Sequence, residues 1–200
     1  MYNTKAATIN NEEFTSSYMP VGINENVFLK DVTVEKTQNG RDFLRVTFEN
    51  EDGQTAEMTE WKNEPSTWIK TKDDLQRRDN IQFGRILQLI NCFFATTPEV
   101  ELNSFAEMIN WVKNTLSPLI ATKKKLRIKC IYDKNGYVRV SQNGIYVEPM
   151  DVEETQIKLF KRDTLERPIK ADVETSADPL ASTTADSTPD TANSTTGLPF

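Results

Sequence analysis

The sequence predicts a mainly β domain whose sheet curls and which carries an inserted pair of helices. Three observations predict it. Residues 24–61 hold three runs with an apolar period near two, separated by Asn39-Gly40 and Asp52-Gly53. Such dipeptides tolerate the positive φ that tight hairpin turns require. Within the first run the apolar phase moves from Val27 and Leu29 to Val32 and Val34 across Asp31. One extra residue in a strand is a bulge, and bulges bend a sheet so that it can close on itself. Finally, runs of period two return after residue 125, behind a stretch of helical period.

Taken in order, residues 1–22 are polar and lack a period, and read as a flexible arm ending in Pro20-Val21-Gly22. In the middle run of the meander Leu44, Val46 and Phe48 share the core face. Phe43, Arg45 and Thr47 share the other, where a ring and a cation are interleaved as no strand facing only water needs. Glu64-Pro65-Ser66 ends the strand pattern. A first helix follows with Phe83, Ile86, Leu87, Ile90, Phe93 and Phe94 at spacings of three and four. Its caps are Asp73, Asp74 or Asp79, and Gly84 costs it about 1 kcal/mol relative to Ala. Ser104 with Glu107 makes a capping box for a second helix, striped by Phe105, Met108, Ile109, Val112 and Leu116 and stopped at Pro118.

After Lys123-Lys124-Lys125, Leu126, Ile128 and Cys130 alternate with Arg127, Lys129 and Ile131. A turn at Lys134-Asn135-Gly136 leads to Val138 and Val140 on one face, with Tyr137 and Arg139 on the other. Asn143-Gly144 marks another turn before Ile145-Tyr146-Val147, and Ile157 to Phe160 is an edge strand or a docking segment. Three strands, helix, then two or three strands is the order of an OB-fold, a five-stranded curled barrel. Here the helical insertion between strands 3 and 4 is enlarged, to about residues 73–118. An open antiparallel sheet is the alternative. The expected domain runs over 23–162, followed by an acidic tail over 163–200 whose composition shifts most sharply near Ala171.

Hydrophobic residues make up 37% of the chain, charged residues 27%, and the formal net charge is −6. Residues 171–200 hold Asp172, Glu174, Asp178, Asp186 and Asp190 and no Lys or Arg. All 24 basic residues and 25 of the 30 acids therefore lie in the body, whose net charge is −1. Two cysteines, Cys92 and Cys130, lie on apolar faces and read as buried thiols in a reducing, cytoplasmic setting. The longest apolar stretch, near Ile86 to Ala95, is too short to span a bilayer, so no membrane is expected. Histidine is absent, which removes imidazole acid/base catalysis, Ser-His-Asp triads and nearly every zinc site. No phosphate-binding Gly-Lys-Ser/Thr loop or nucleophile elbow occurs. The expectation is a protein without enzymatic activity or cofactor. Asp73-Asp74 and Glu51-Asp52 are the carboxylates a metal-dependent nuclease would use, but Asp52 lies in a Gly turn and Asp73-Asp74 where a helix cap is expected.

The tail ends in Gly197-Leu198-Pro199-Phe200, a bulky apolar cluster behind a polar, acidic segment. Such an end suits a linear anchor, with Leu198 and Phe200 entering a partner's pocket and the terminal carboxylate meeting a basic rim. The strand order and an acidic tail closing on Leu198-Pro199-Phe200 resemble the single-stranded DNA-binding proteins of bacteria and their phages. Gly22-Ile23-Asn24-Glu25-Asn26-Val27 with Thr59-Glu60-Trp61 is similar to phage proteins of that class. The resemblance implies binding of single-stranded DNA during replication, recombination or repair. It also implies recruitment of replication or recombination proteins through Leu198, Pro199 and Phe200, in the cytoplasm of the host if the protein is viral.

The residues support the same chemistry. Single strands need cations along the backbone path and flat rings for stacking, at roughly 1–3 kcal/mol per stacked base. Candidate rings are Phe43, Trp61, Trp68, Tyr132, Tyr137 and Tyr146, while Trp111 on the second helix is assigned to packing. Candidate cations are Arg41, Arg45, Lys62, Lys70, Lys72, Lys123, Lys124, Lys125, Arg127, Lys129 and Arg139. A non-catalytic adaptor or structural phage protein tethered by the same tail is the alternative.

Overall fold

A computed structural model of the chain describes residues 16–168. The arm before residue 16 and the acidic tail from residue 169, with its Leu198-Pro199-Phe200 tip, lie outside the described residues. Over the described residues the protein is mainly β: a six-stranded antiparallel sheet, not closed, with two α-helices. Its pivot is β1 (Gly22–Lys36), which is shared between two sets of partners. Phe28 to Lys36 pair with β2 (Asp42–Glu49), and β2 pairs in turn with β3 (Thr55–Trp61). Gly22 to Val27 pair instead with β4 (Leu126–Tyr132). Two register shifts lie along β1, one between Leu29 and Asp31 where the apolar phase moves, the other between Asn24 and Val27. Asn26 takes φ 54° at the second, a left-handed value that asparagine tolerates better than most residues. Such irregularities are compatible with a curled sheet.

The far edge of β4 carries an interrupted strand. β5 (Val138–Val140) pairs with Cys130 to Tyr132, and β6 (Val147–Pro149) pairs with Leu126 to Ile128. Residues 141–146 form a loop between two halves of one edge strand, opposite Lys129, which donates to Asn143 O at 2.8 Å. The neighbour order is β3-β2-β1-β4-β5. Among the described residues no backbone ladder joins β3 to β5. Side chains bridge the seam instead, Arg139 Nη1 to Glu57 Oε2 at 3.1 Å and Gln142 Nε2 to Thr59 O at 3.4 Å.

α1 (Lys72–Asn91) starts two residues before even the first of the three aspartates suggests, because Thr71 is its cap. The Thr71 hydroxyl accepts from Asp74 N and Asp74 accepts from Thr71 N, so Asp74 completes a capping box rather than beginning the helix. α2 (Phe105–Leu116) is capped by Ser104 as its sequence indicates. The Glu107 carboxylate, however, accepts from Asn103 N, one residue before the cap. Pro118 does not end the helical path outright, since a 3₁₀ turn continues over Ser117–Thr122. Both helices pack on one face of the sheet, joining Ile86, Leu89, Ile90, Ile109, Val112 and Leu116 to Val27, Leu29, Leu44, Val46 and Phe48 in one core.

The folded body reaches further at both ends than the sequence suggests. Met19 is buried and its N–H donates to Thr55 O, so the arm is pinned to β3 from about residue 17. From Ile157, which is buried, to residue 168 the chain makes no strand but docks. The Phe160 ring lies against Gly144, where a Cβ would stand 2.8 Å from it. Thr164 O accepts from Tyr132 N. Asp163 is buried and accepts from Phe160 N, Asn143 Nδ2 and Lys129 Nζ, with the Lys129 ammonium at 3.1 Å. Burial works against the Asp163 charge, but the Phe160 N–H, the Asn143 amide and Lys129 outweigh it and hold its carboxyl below the ordinary range. A depressed folded pKa contributes stability that is complete above the unfolded value and is lost as pH falls through the folded one. The melting temperature is therefore expected to fall steadily below about pH 4. A value unchanged down to about pH 2 in a thermal scan would contradict this reading of the network.

Candidate nucleic-acid interface

The helices cover one face of the β1–β2–β3 meander and leave the other open. Directly paired residues of an antiparallel sheet share a face. Glu35 lies opposite Phe43 and Phe43 opposite Trp61, while Thr33, Arg45 and Thr59 form the next row. On this face the Trp61 ring stacks on Phe43 with centroids 4.3 Å apart and planes 18° from parallel. Phe43 is only 6% exposed and Trp61 38%. The sequence reading of two platforms becomes one: Phe43 is the buried layer beneath, and only the outer side of Trp61 is free. Arg45 lies over the Phe43 ring at 5.6 Å.

A cleft of about 540 Å³ opens here, between β2–β3 and β5, lined by Phe43, Arg45, Trp61, Arg139 and the carboxylates Glu57 and Asp133. Its cations are partnered. Arg45 Nη1 lies 3.0 Å from Glu57 Oε2, and Arg45 Nη2 donates to Glu35 Oε2 at 3.1 Å. Arg139 reaches Glu57 Oε2 at 3.1 Å and Asp133 Oδ2 at 3.8 Å. Burial works against the Arg45 charge, but Glu57 and Glu35 outweigh it and raise its pKa above the ordinary value. Two arginines thus face three carboxylates.

Trp61 is held from behind. Glu60 is buried and accepts from Gln82 Nε2 at 2.8 Å and from Arg85 Nη2 at 2.9 Å. Gln82 Nε2 also donates to Trp61 O at 2.8 Å. This buried network fixes the end of β3 to α1, so the ring is presented from rigid structure.

The other candidates lie in several separate places. Tyr137 is exposed at the β4–β5 turn, where its N–H donates to Asp133 Oδ1 beside the cleft. Arg41 and Lys62 border a different cleft of about 770 Å³ between the sheet end and the helices. There Arg41 pairs with Glu64 at 3.2 Å. Trp68 is 86% exposed, in a turn closed by reciprocal Ser66–Ile69 backbone bonds, and Lys70 and Lys72 are exposed after it.

The lysine tract is elsewhere. Lys125 pairs with Glu51 at 2.8 Å, in the turn after β2. At about 3.3 Å per residue, the far end of β2 is roughly 20 Å from Phe43. Lys123 overlies Phe28, which shares the open face opposite Glu49, and Lys124 is half-buried.

Three candidates belong to the interior. Lys129 is fully buried, donating to Asn143 O, Lys158 O and Asp163. Tyr146 is fully buried, its hydroxyl donating to Arg85 O at 3.0 Å. Arg127 is clasped between Glu25 and Glu148 with 11% of its side chain exposed. None of these is free to meet a strand. Tyr132 is half-buried under the docked segment. Cys92 and Cys130 are buried, and burial pushes both thiols up to about 12.

Sequence reasoning missed Glu57, Glu35, Asp133 and Phe28. The row-by-row pairing would have put Glu35 and Glu57 on the Arg45 face once the hairpin registers were drawn. Asp74 is engaged in its capping box and Glu51 with Lys125. Among the described residues no cluster of three acidic or cysteine side chains is placed to hold a metal. Among them, too, no helix is long and apolar enough to cross a membrane. Set against models of protein families and against curated proteins, the chain matches none.

Proposed function

We propose that this chain binds single-stranded DNA with little sequence specificity, through an OB-fold-like body whose open sheet face stacks bases and contacts phosphates. The observation that carries the reading is one cleft holding an exposed Trp61 backed by Phe43, with Arg45 and Arg139 beside it. A ring free on one side, next to planar cations, suits a base and its neighbouring phosphate. The strand order supports the OB-like reading, since β5 comes to the side of β3 and only side chains close the seam. On the sequence alone, the Leu198-Pro199-Phe200 tip recruits replication or recombination proteins while the body holds the strand. The adaptor reading draws on a different observation: both arginines of the cleft are already engaged by Glu35, Glu57 and Asp133, and Trp68 is a bare ring for a protein partner.

Labelled oligothymidine, followed by fluorescence anisotropy at ~50 and ~300 mM salt, separates the two. Two neutralised phosphates give a slope of about −1.4 in log affinity against log salt, a loss of roughly tenfold over that range. No binding at low salt, or binding indifferent to salt, would favour the adaptor.

A further inference from the structure

The two arginines of the cleft meet on a single atom. Arg45 Nη1 from β2 and Arg139 Nη1 from β5 lie 3.0 and 3.1 Å from the same oxygen, Glu57 Oε2. β2 and β5 are not neighbours in the sheet, so nothing in the backbone pairing brings these guanidinium groups together. Their convergence is made by Glu57, which stands on β3 between them opposite Thr47. Two planar cations aimed at one anionic oxygen is an arrangement that a phosphodiester oxygen accepts equally well. Glu57 retains 29% of its side-chain exposure, so its carboxylate can turn from the arginines to water, with Gln142 Nε2 on Thr59 O left to bridge the seam.

We propose that Glu57 is an internal stand-in for a backbone phosphate. The place of its Oε2 marks the phosphate subsite of the cleft, and a strand binds by exchanging its phosphate oxygen for the Glu57 carboxylate. This rests on the single-strand reading and adds to it the site and the cost of phosphate capture. Arg45 lies over Phe43, and Phe43 backs Trp61, so the captured phosphate is next to the base stacked on Trp61. The carboxylate occupies the arginines in the free protein and so sets a threshold that stacking on Trp61 helps a strand to pass. An isolated anion, which brings no base, gains nothing to offset the exchange.

The alternative is that Glu57 serves binding by orienting the arginines, and the two roles have opposite signs. Wild-type protein, Glu57→Gln and Glu35→Gln are titrated with labelled oligothymidine at low salt, with a thermal scan of each. The glutamine amide oxygen still accepts from an arginine but carries no charge. Glu57→Gln is expected to bind roughly tenfold more tightly than wild type. Glu35→Gln, which releases Arg45 alone, is expected to gain less. Unchanged or weaker binding by Glu57→Gln, with wild type binding normally, overturns the stand-in and leaves the single-strand reading intact. A Glu35→Gln gain equal to or above that of Glu57→Gln also overturns it. Wild type that fails to bind removes the single-strand reading itself, and the subsite with it.

Discussion

Replacing Lys129 with methionine is expected to lower the melting temperature by roughly 6–20 °C, although the sequence places this lysine in a cationic strand. Its side chain is fully buried against an equally buried Asp163. Removing one member of a buried pair leaves the other charge uncompensated, at about 3–5 kcal/mol. The ammonium also holds Asn143 O and Lys158 O, so the 141–146 loop and the docked segment lose their common anchor. Adding Asp163→Asn to the same variant removes the orphan charge and is expected to restore part of the loss. A Lys129→Met protein that melts with wild type but binds oligothymidine weakly would reverse the assignment and return Lys129 to the binding surface.

Trp61→Ala is expected to cost roughly 5- to 150-fold in affinity for oligothymidine, the equivalent of one base stack at 1–3 kcal/mol. Trp61→Phe should keep most of it, because a flat ring remains on Phe43. The network of Glu60, Gln82 and Arg85 lies behind the backbone of Trp61 and does not need its side chain, so both variants should stay folded. Trp68→Ala tests the nearby exposed ring. A loss with Trp68→Ala equal to that of Trp61→Ala would extend the path beyond the cleft toward the loop before α1.

Local features were the legible ones. Asn39-Gly40 and Asp52-Gly53 fall in the two hairpin turns, with Gly40 at φ 76° and Gly53 at φ 77°. The phase change across Asp31 reports the register shift there, and Ser104 caps α2. What failed was long-range. Arg45 and Lys129 look alike in sequence, each a cation alternating with apolar residues on a strand. Their fates are decided by segments far along the chain: residues 157–163 cover Lys129 on β4, while Arg45 faces a cleft that stays open between β2–β3 and β5. Period two identifies a second face but not whether another segment will bury it. Thr71 was overlooked because three aspartates nearby are equally good caps on propensity alone. The Asn143-Gly144 dipeptide marks a break but does not tell that the strands on its two sides pair with one and the same neighbour, with Lys129 holding the loop between them.

The most direct measurement uses a protein in which Trp61 is the sole tryptophan, made by Trp68→Phe and Trp111→Phe. Trp111 packs against Phe83 on the helical side, with ring centroids 5.8 Å apart, and a phenylalanine can take its place there. Titrated with oligothymidine at low salt, this protein should show saturable quenching of its fluorescence, as bases stack on the free side of the ring, and lose it as salt is raised. Emission that stays constant while oligothymidine binds would place the strand away from the cleft and contradict the account.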